Sequence, residues 1–214
     1  MTGVGAAGMV EKQLRARGIR DERVLRVMQM IPREEFVPSQ FRENAYADAP
    51  LPIGYGQTIT QPYMTALMVQ LLELTGTEKV LEVGAGTGYH AAVLGALARC
   101  VISVERIPEL AAIAAENLRR NGREANVRVI CGDGSCGVPD ESPFDAISVA
   151  AGSPEIPPAL LAQLGDPGVL VIPVGGRFDQ DLRVVHRIHG SLTTRTASGC
   201  RFVPLVGRAG WQEN

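Results

Sequence analysis

Three glycines at alternating positions, Gly84, Gly86 and Gly88, follow the apolar run Val80-Leu81-Glu82-Val83 and precede a helix-compatible segment that opens at Tyr89. Alternating glycine lets a chain turn off a strand end and leaves no Cβ atoms between the main chain and a ligand. The chemistry this predicts is capture of a nucleotide-type cofactor against the backbone. Carboxylates at matched intervals extend the pattern. Glu105 closes the β-rich run 100–105, 17 residues after Gly88, where an acid can accept both hydroxyls of a ribose. Asp133-Gly134 closes another run, suited to an adenine amino group and a close backbone approach. Upstream, Gln57, Thr58 and Thr60 stand just before a helix start at Pro62, where free N–H groups and the helix dipole favour an anion such as a carboxylate.

The glycine register separates two cofactor classes. A dinucleotide fingerprint G-x-G-x-x-G needs glycine where Tyr89 stands, whereas the third glycine here falls one place early, at Gly88. Glu82, two residues before Gly84, puts an anion where a cationic ligand would lie. The combination resembles the E-x-G-x-G-x-G signature of S-adenosylmethionine-dependent methyltransferases. A purely structural glycine turn is the alternative.

The elements that must hold these residues alternate. Strands are expected at 80–83, 100–105, 127–134 and 144–149, with helices from Tyr89 to Arg99 and through Ala111, Ala115 and Leu118 to Asn121. Strand, helix, strand in series is the pattern of an α/β, doubly wound, Rossmann-like and mostly parallel sheet. Asp21 caps a helix bearing Val24, Val27, Met28 and Ile31, and Pro62 opens one whose stripe is Met64, Leu67, Met68, Leu71 and Leu72. Residues 46–64, with three prolines, read as a long ordered loop of functional kind. Beyond Gly152 a short helix at 157–164, a buried strand at 168–173 and two strands joined at Gly190-Ser191 add antiparallel structure at one sheet edge.

Composition narrows the partners. A formal charge of −2 offers no global basic field for nucleic acid, and no apolar run is long enough to span a membrane as a helix. Cys100, Cys131, Cys136 and Cys200 contain no C-x-x-C pair and no histidine completes a zinc site, so no metal is expected. Cys100 and Cys131 read as small strand hydrophobes, and reduced thiols make the cytoplasm the default location. His186 and His189 fall on opposite faces of one expected strand, which argues against a shared metal. Residues 1–8 lack a basic and apolar signal pattern and read as a flexible leader.

Over residues 9–207 the chain resembles the protein-L-isoaspartate O-methyltransferase family. The resemblance is carried by Asp21-Glu22-Arg23-Val24, Ile31-Pro32-Arg33-Glu34-Glu35-Phe36-Val37-Pro38, Pro50-Leu51-Pro52-Ile53-Gly54, Gly56-Gln57-Thr58-Ile59-Thr60-Gln61-Pro62, the glycine loop, Ile172-Pro173-Val174-Gly175 and Phe202-Val203-Pro204-Leu205. It implies a single methyltransferase domain over 9–214, with N-terminal helices and a substrate loop in 9–78 and the cofactor sheet and C-terminal strands in 79–214. It implies methyl transfer from S-adenosylmethionine, leaving S-adenosylhomocysteine, to the free α-carboxylate of isoaspartyl residues in peptides and proteins, with repair through a methyl ester and a succinimide. It further implies cofactor contacts from Gln57, Thr58, Ile59, Glu82, Gly84, Ala85, Gly86, Gly88, Glu105, Asp133 and Gly134. Acceptor contacts fall to Ile53, Gly54, Thr58 and Thr60. The family most often has serine where Thr60 supplies the active-site hydroxyl, and commonly glutamine at His90; a helix N-cap is the other reading of Thr60. A monomer is expected. Another acceptor, such as a small molecule, is the alternative, since fold does not fix substrate.

Overall fold

The computed structural model describes residues 5–212. Seven strands form one sheet: β3 (Lys79–Val83), β4 (Cys100–Glu105), β5 (Val127–Cys131), β6 (Phe144–Val149), β7 (Leu164–Gly175), β8 (Gln180–Ile188) and β9 (Ser191–Cys200). They follow a separate hairpin of β1 (Leu51–Gly54) and β2 (Gln57–Ile59). The spatial order is β5-β4-β3-β6-β7-β8-β9, parallel from β5 to β7 and antiparallel through β8 and β9. The order reverses between β3 and β6. Such a switch point opens a crevice at the carboxyl ends of the strands, and the glycine loop lies there.

Period-two alternation divides the sheet's side chains between two cores. Val80, Val101 and Ala146 face one layer, with α2 (Glu22–Met30), α3 (Pro62–Leu71), α4 (Tyr89–Gly95) and α5 (Pro108–Arg120). Leu81, Ile102 and Ile147 face the other, with Leu160 of α6 (Pro158–Gln163) and Leu205 of the C-terminal segment. Asp21 caps α2 as its type and position imply, accepting from the N–H groups of Arg23 and Val24. Pro62 occupies the first turn of α3, whose buried face includes Met64 and Met68 with Thr65, Ala66 and Val69, while Leu67 and Leu71 of the expected stripe are only half-buried.

Several expectations are revised. Residues 1–4 of the leader lie outside the described residues, while Ala6, Ala7 and Gly8 belong to a helix, α1 (Ala6–Met9), because Met9, Val10 and Leu14 just beyond are core residues that anchor it. Residues 46–64 are not an irregular loop. Leu51, Ile53 and Ile59 are buried at alternating positions, and Tyr55-Gly56, both at positive φ (53° and 69°), form the tight turn that closes the hairpin. The helix after Gly88 stops at Gly95, short of Arg99. Cys131 is exposed at a strand end rather than buried, and His189 lies in the β8–β9 turn at φ 50°, outside the strand. No group of three or more metal-ligating side chains occurs among the described residues, and no described helix is long and apolar enough to cross a membrane.

Candidate active site

The glycine loop is pinned from below. The N–H groups of Gly84 and Ala85 donate to the Val104 carbonyl (2.8 and 3.3 Å), and that of Gly86 donates to Glu105 Oε2 at 2.9 Å. Glu105 Oε1 accepts from the Ile107 N–H at 3.0 Å. A single carboxylate therefore fixes both the loop and the start of the next helix. Gly88 sits at φ 92°, and a Cβ there would approach the Ala114 carbonyl of α5 to 3.2 Å, so glycine is required by both backbone and packing.

Gln57, Thr58, Val83, Gly84, Gly86, Glu105, Gly134 and Ala150 line a cavity over this loop, closed on its far side by Val203, Pro204, Leu205 and Val206. A narrow continuation is bounded by Thr58, Ile59, Thr60, Ala85, Thr87 and His90. A larger cleft of about 690 Å³ opens from Thr58, Thr60 and Ala150 toward Gln61, Tyr63 and Met64 of the α3 N-terminus and toward 198–204. Thr58 and Ala150 stand on the walls of all three spaces.

Other expected residues act at one remove. Ile53 is buried with its Cδ1 beside Gly86, where an added Cβ would come within 3.2 Å, so it seats the hairpin on the glycine loop. Gly54 is exposed beside the hairpin turn, and neither residue lines these cavities. Thr60 does not cap α3; Gln61 precedes that helix, and no side chain caps it. Both oxygens of Asp133 are engaged by the chain, Oδ1 accepting from the Ser135 N–H (2.9 Å) and hydroxyl (2.6 Å) and Oδ2 from the Arg208 N–H (2.8 Å). Asp133 therefore tethers the C-terminal segment beside Gly134.

Glu82, expected as an anion facing a cationic ligand, lines none of these cavities. It lies in register with Ser103 on β4 and Ser148 on β6, forming a polar row across an otherwise apolar face. It is fully buried. Its Oε2 accepts from the Ser103 hydroxyl, while Oε1 has no partner. Burial pushes its carboxyl from the ordinary 4.5 up to about 8, the Ser103 hydroxyl opposing and the nearby Glu105 reinforcing the shift. An orphaned, buried carboxyl oxygen beneath bare glycine backbone fits a cationic ligand, which would favour the ionised form. His90, the second residue of α4, meets the same row through Ser148 Oγ at 3.4 Å, and burial lowers it from 6.5 to about 4.

These two groups give opposite pH dependences. The raised Glu82 makes the folded state hold a proton that the unfolded chain releases, so stability falls as pH rises from 4.5 through about 8. The lowered His90 does the reverse, and stability is lost as pH falls from 6.5 through about 4. Thermal unfolding of the cofactor-free protein should therefore flatten on the alkaline side in Glu82→Gln and on the acid side in His90→Gln. Unaltered pH profiles in both variants would refute these assignments.

A residue that its type disguised is Arg33. It is fully buried, with Nε donating to the Ala45 carbonyl and Nη2 to the Thr60 carbonyl, both at 2.7 Å. Its guanidinium lies 4.7 Å from the ring centre of Tyr89, which also meets Phe36 edge-on at 5.5 Å. One side chain thus joins the hairpin, the preceding segment and the first residue of α4. Ala150 and 203–206 were likewise not anticipated as walls. They are placed by Gly152, whose N–H donates to the Val203 carbonyl and whose carbonyl accepts from the Leu205 N–H (both 2.8 Å) and Trp211 Nε1 (3.0 Å).

Comparison with known proteins places this geometry in context. Residues 7–210 match the family model described as Protein-L-isoaspartate(D-aspartate) O-methyltransferase. A protein-L-isoaspartate O-methyltransferase of Koribacter versatilis is 53% identical over 205 residues, covering 96% of this chain and 92% of its own. One from Methanoculleus marisnigri is 53% identical over 204 residues, covering 95% and 92%. Among solved structures, a protein-L-isoaspartate O-methyltransferase superposes with TM-score 0.83 at 31% identity over 96% of this chain and 67% of its own. A Plasmodium falciparum chain named for the same activity, in complex with S-adenosyl-L-homocysteine, gives TM-score 0.81 at 27% identity over 93% and 97%. The match runs from the first helix through the segment that closes the cofactor cavity, and the chain belongs to the protein-L-isoaspartate(D-aspartate) O-methyltransferase family.

Proposed function

We propose that Thr58, Thr60 and Ala150 mark the point of methyl transfer in an enzyme that uses S-adenosylmethionine to methylate the free α-carboxylate of L-isoaspartyl residues, the entry step of repair through a methyl ester and a succinimide. The observation that carries this is the shared wall: Thr58 and Ala150 border both the cofactor cavity and the acceptor cleft. The similarity of this chain to proteins named for that activity supports the peptide carboxylate rather than a small-molecule acceptor.

When bound, S-adenosylmethionine supplies an electrophilic methyl group on a sulfonium. Glu105, the bare loop from Gly84 to Gly86, and Gly134 would hold it, and the unpaired, buried oxygen of Glu82, two residues before the loop, would favour its positive charge without touching it. The acceptor α-carboxylate is ionised near neutral pH and needs no general base. In keeping with that, no His, Asp or Glu among the described residues lines the cleft. What remains for the chain is alignment and dehydration. The Thr60 hydroxyl and the N-terminus of α3, represented by Gln61, Tyr63 and Met64, face the cleft as donors for an anion. Met64, Ala150, Phe202 and Pro204 give it apolar walls that exclude water.

Thr60→Val should lower kcat about tenfold, the scale of one hydrogen bond to a charged group, with the cofactor Kd unchanged, while Thr60→Ser retains turnover. Full activity in the valine variant would remove the hydroxyl from the acceptor site. The function itself is tested with labelled cofactor and a matched pair of isoaspartyl and aspartyl peptides. Labelling of the isoaspartyl member alone is expected; equal labelling or none refutes the reading. We read the protein as a cytoplasmic monomer with no nucleic-acid or membrane partner, in which 9–78 and 79–214 work as one domain. The four free cysteines support a reducing compartment.

A further inference from the structure

The acceptor cleft contains an exposed aromatic ring that the transfer step does not use. Phe178 lines the cleft together with Met64 and Phe202, and none of the three borders the cofactor cavity, so they belong to the part of the cleft away from the point of transfer. Six large apolar side chains are exposed among the described residues. Phe178, at 72%, is the most exposed of them and the only one that lines this cleft. A lone apolar side chain on a surface is ordinary; one that shares a cleft with the buried Met64 and Phe202 extends an apolar wall on which a ligand can pack.

The ring is held in place by its own connection. Phe178 lies between β7 and β8, whose adjoining ends Gly175 and Gln180 pair directly. A Cβ on Gly175 would come within 2.6 Å of the Asp179 carbonyl oxygen, so the chain closes tightly on itself there. Gln180, 6% exposed, ties this connection to the neighbouring segment: its Nε2 donates to the Gly176 carbonyl at 2.6 Å and its Oε1 accepts from the Phe202 N–H at 2.8 Å. One buried amide thereby sets Phe178 relative to Phe202. The Arg201 guanidinium lies over the Phe178 ring, 5.7 Å from its centre. An apolar surface fixed before binding loses little freedom when a ligand packs on it. At about 690 Å³ the cleft is larger than one isoaspartyl side chain requires, so residues flanking the damaged position enter it as well.

We propose that Phe178 is a specificity-determining residue, a fixed apolar face that makes the enzyme prefer isoaspartyl sites flanked by a large apolar side chain. The proposal rests on the reading of the cleft as the acceptor site. Large apolar residues are mostly buried in native proteins and uncovered in unfolded ones. Such a preference would direct methylation toward damaged chains that have lost their fold.

The test uses an isoaspartyl peptide with alanine at the two positions on either side, and four relatives that carry leucine at one of those positions each. At least one leucine peptide should show kcat/KM about tenfold above the alanine peptide, the scale for burying one aliphatic side chain. The gain should lie in KM, because a contact remote from the reacting atoms binds ground state and transition state alike. Phe178→Ala should bring the ratio close to one, and Phe178→Leu should keep most of it. Each ratio compares two peptides on the same variant, so a general loss of activity cancels. Equal kcat/KM for all five peptides on the unaltered protein, or a leucine preference that survives Phe178→Ala, would overturn the proposal. Failure to methylate even the alanine peptide would instead overturn the acceptor reading, and the role of Phe178 with it.

Discussion

Glu105→Ala is expected to weaken S-adenosylhomocysteine binding about a hundredfold. That corresponds to about 3 kcal/mol, the upper scale for a lost hydrogen bond to a charged group. The expectation is large because the carboxylate has two duties. It lines the cofactor cavity, where its charge suits a ribose diol, and it holds the Gly86 N–H at 2.9 Å and the Ile107 N–H at 3.0 Å. Truncation removes the ligand contact and also releases the loop against which the ligand lies. Glu105→Gln retains an acceptor for one of those N–H groups and should cost nearer tenfold. Titration calorimetry with S-adenosylhomocysteine measures both variants, and an unchanged dissociation constant in the alanine variant would take Glu105 out of the cofactor site.

The second large effect is expected at Arg33, far from any solvent. Arg33→Met should destabilise the fold by about 3 kcal/mol, because the Ala45 and Thr60 carbonyls would lose their 2.7 Å donors inside the protein. The loss is moderated by relief of the guanidinium's own desolvation, which already lowers its pKa. Arg33→Lys keeps the charge but cannot span two carbonyls with a planar fork, so it should recover only part of the stability. Turnover should fall in both variants, since the Thr60 backbone would no longer be fixed. Denaturant midpoints measured beside kcat test this, and a methionine variant as stable as the parent protein would show the two bonds to be dispensable.

These residues differ in how far the sequence discloses them. The glycine loop, Glu105 and the central strands were legible because their signals are local: an apolar run, a turn that only glycine tolerates, and an acid at a strand end. The edge strands were equally readable through Gly190 and alternating hydrophobicity. The hairpin at 51–59 was read as a loop because Pro50, Pro52, Gly54 and Gly56 are loop-type residues, and its pairing depends on burial against Gly86. Arg33 hid for another reason. Arginine is almost never fully buried, and nothing near it in sequence announces the carbonyls of Ala45 and Thr60. Glu82 stands out in the sequence, but the burial that pushes its carboxyl up follows from a row that exists only once three strands align. Asp133 was legible as a strand-end acid, but its bond to the C-terminal segment was not, because Arg208 is 75 residues away.

That last distance bears on the order in which the molecule is assembled. The cofactor cavity has one wall from Gly84 to Gly86 and its opposite wall from Val203 to Val206, the latter locked by Gly152 and Asp133. A growing chain thus exposes every glycine of the loop long before the cavity has a second side. Bringing the two together closes one of the longer loops in the fold, an entropic cost that local contacts do not carry. A ligand that binds only the closed form stabilises it by mass action. Cellular S-adenosylmethionine would then act as a clasp on the C-terminal segment, suppressing its fraying, and an enzyme that initiates repair of aged chains would be protected by its own methyl donor.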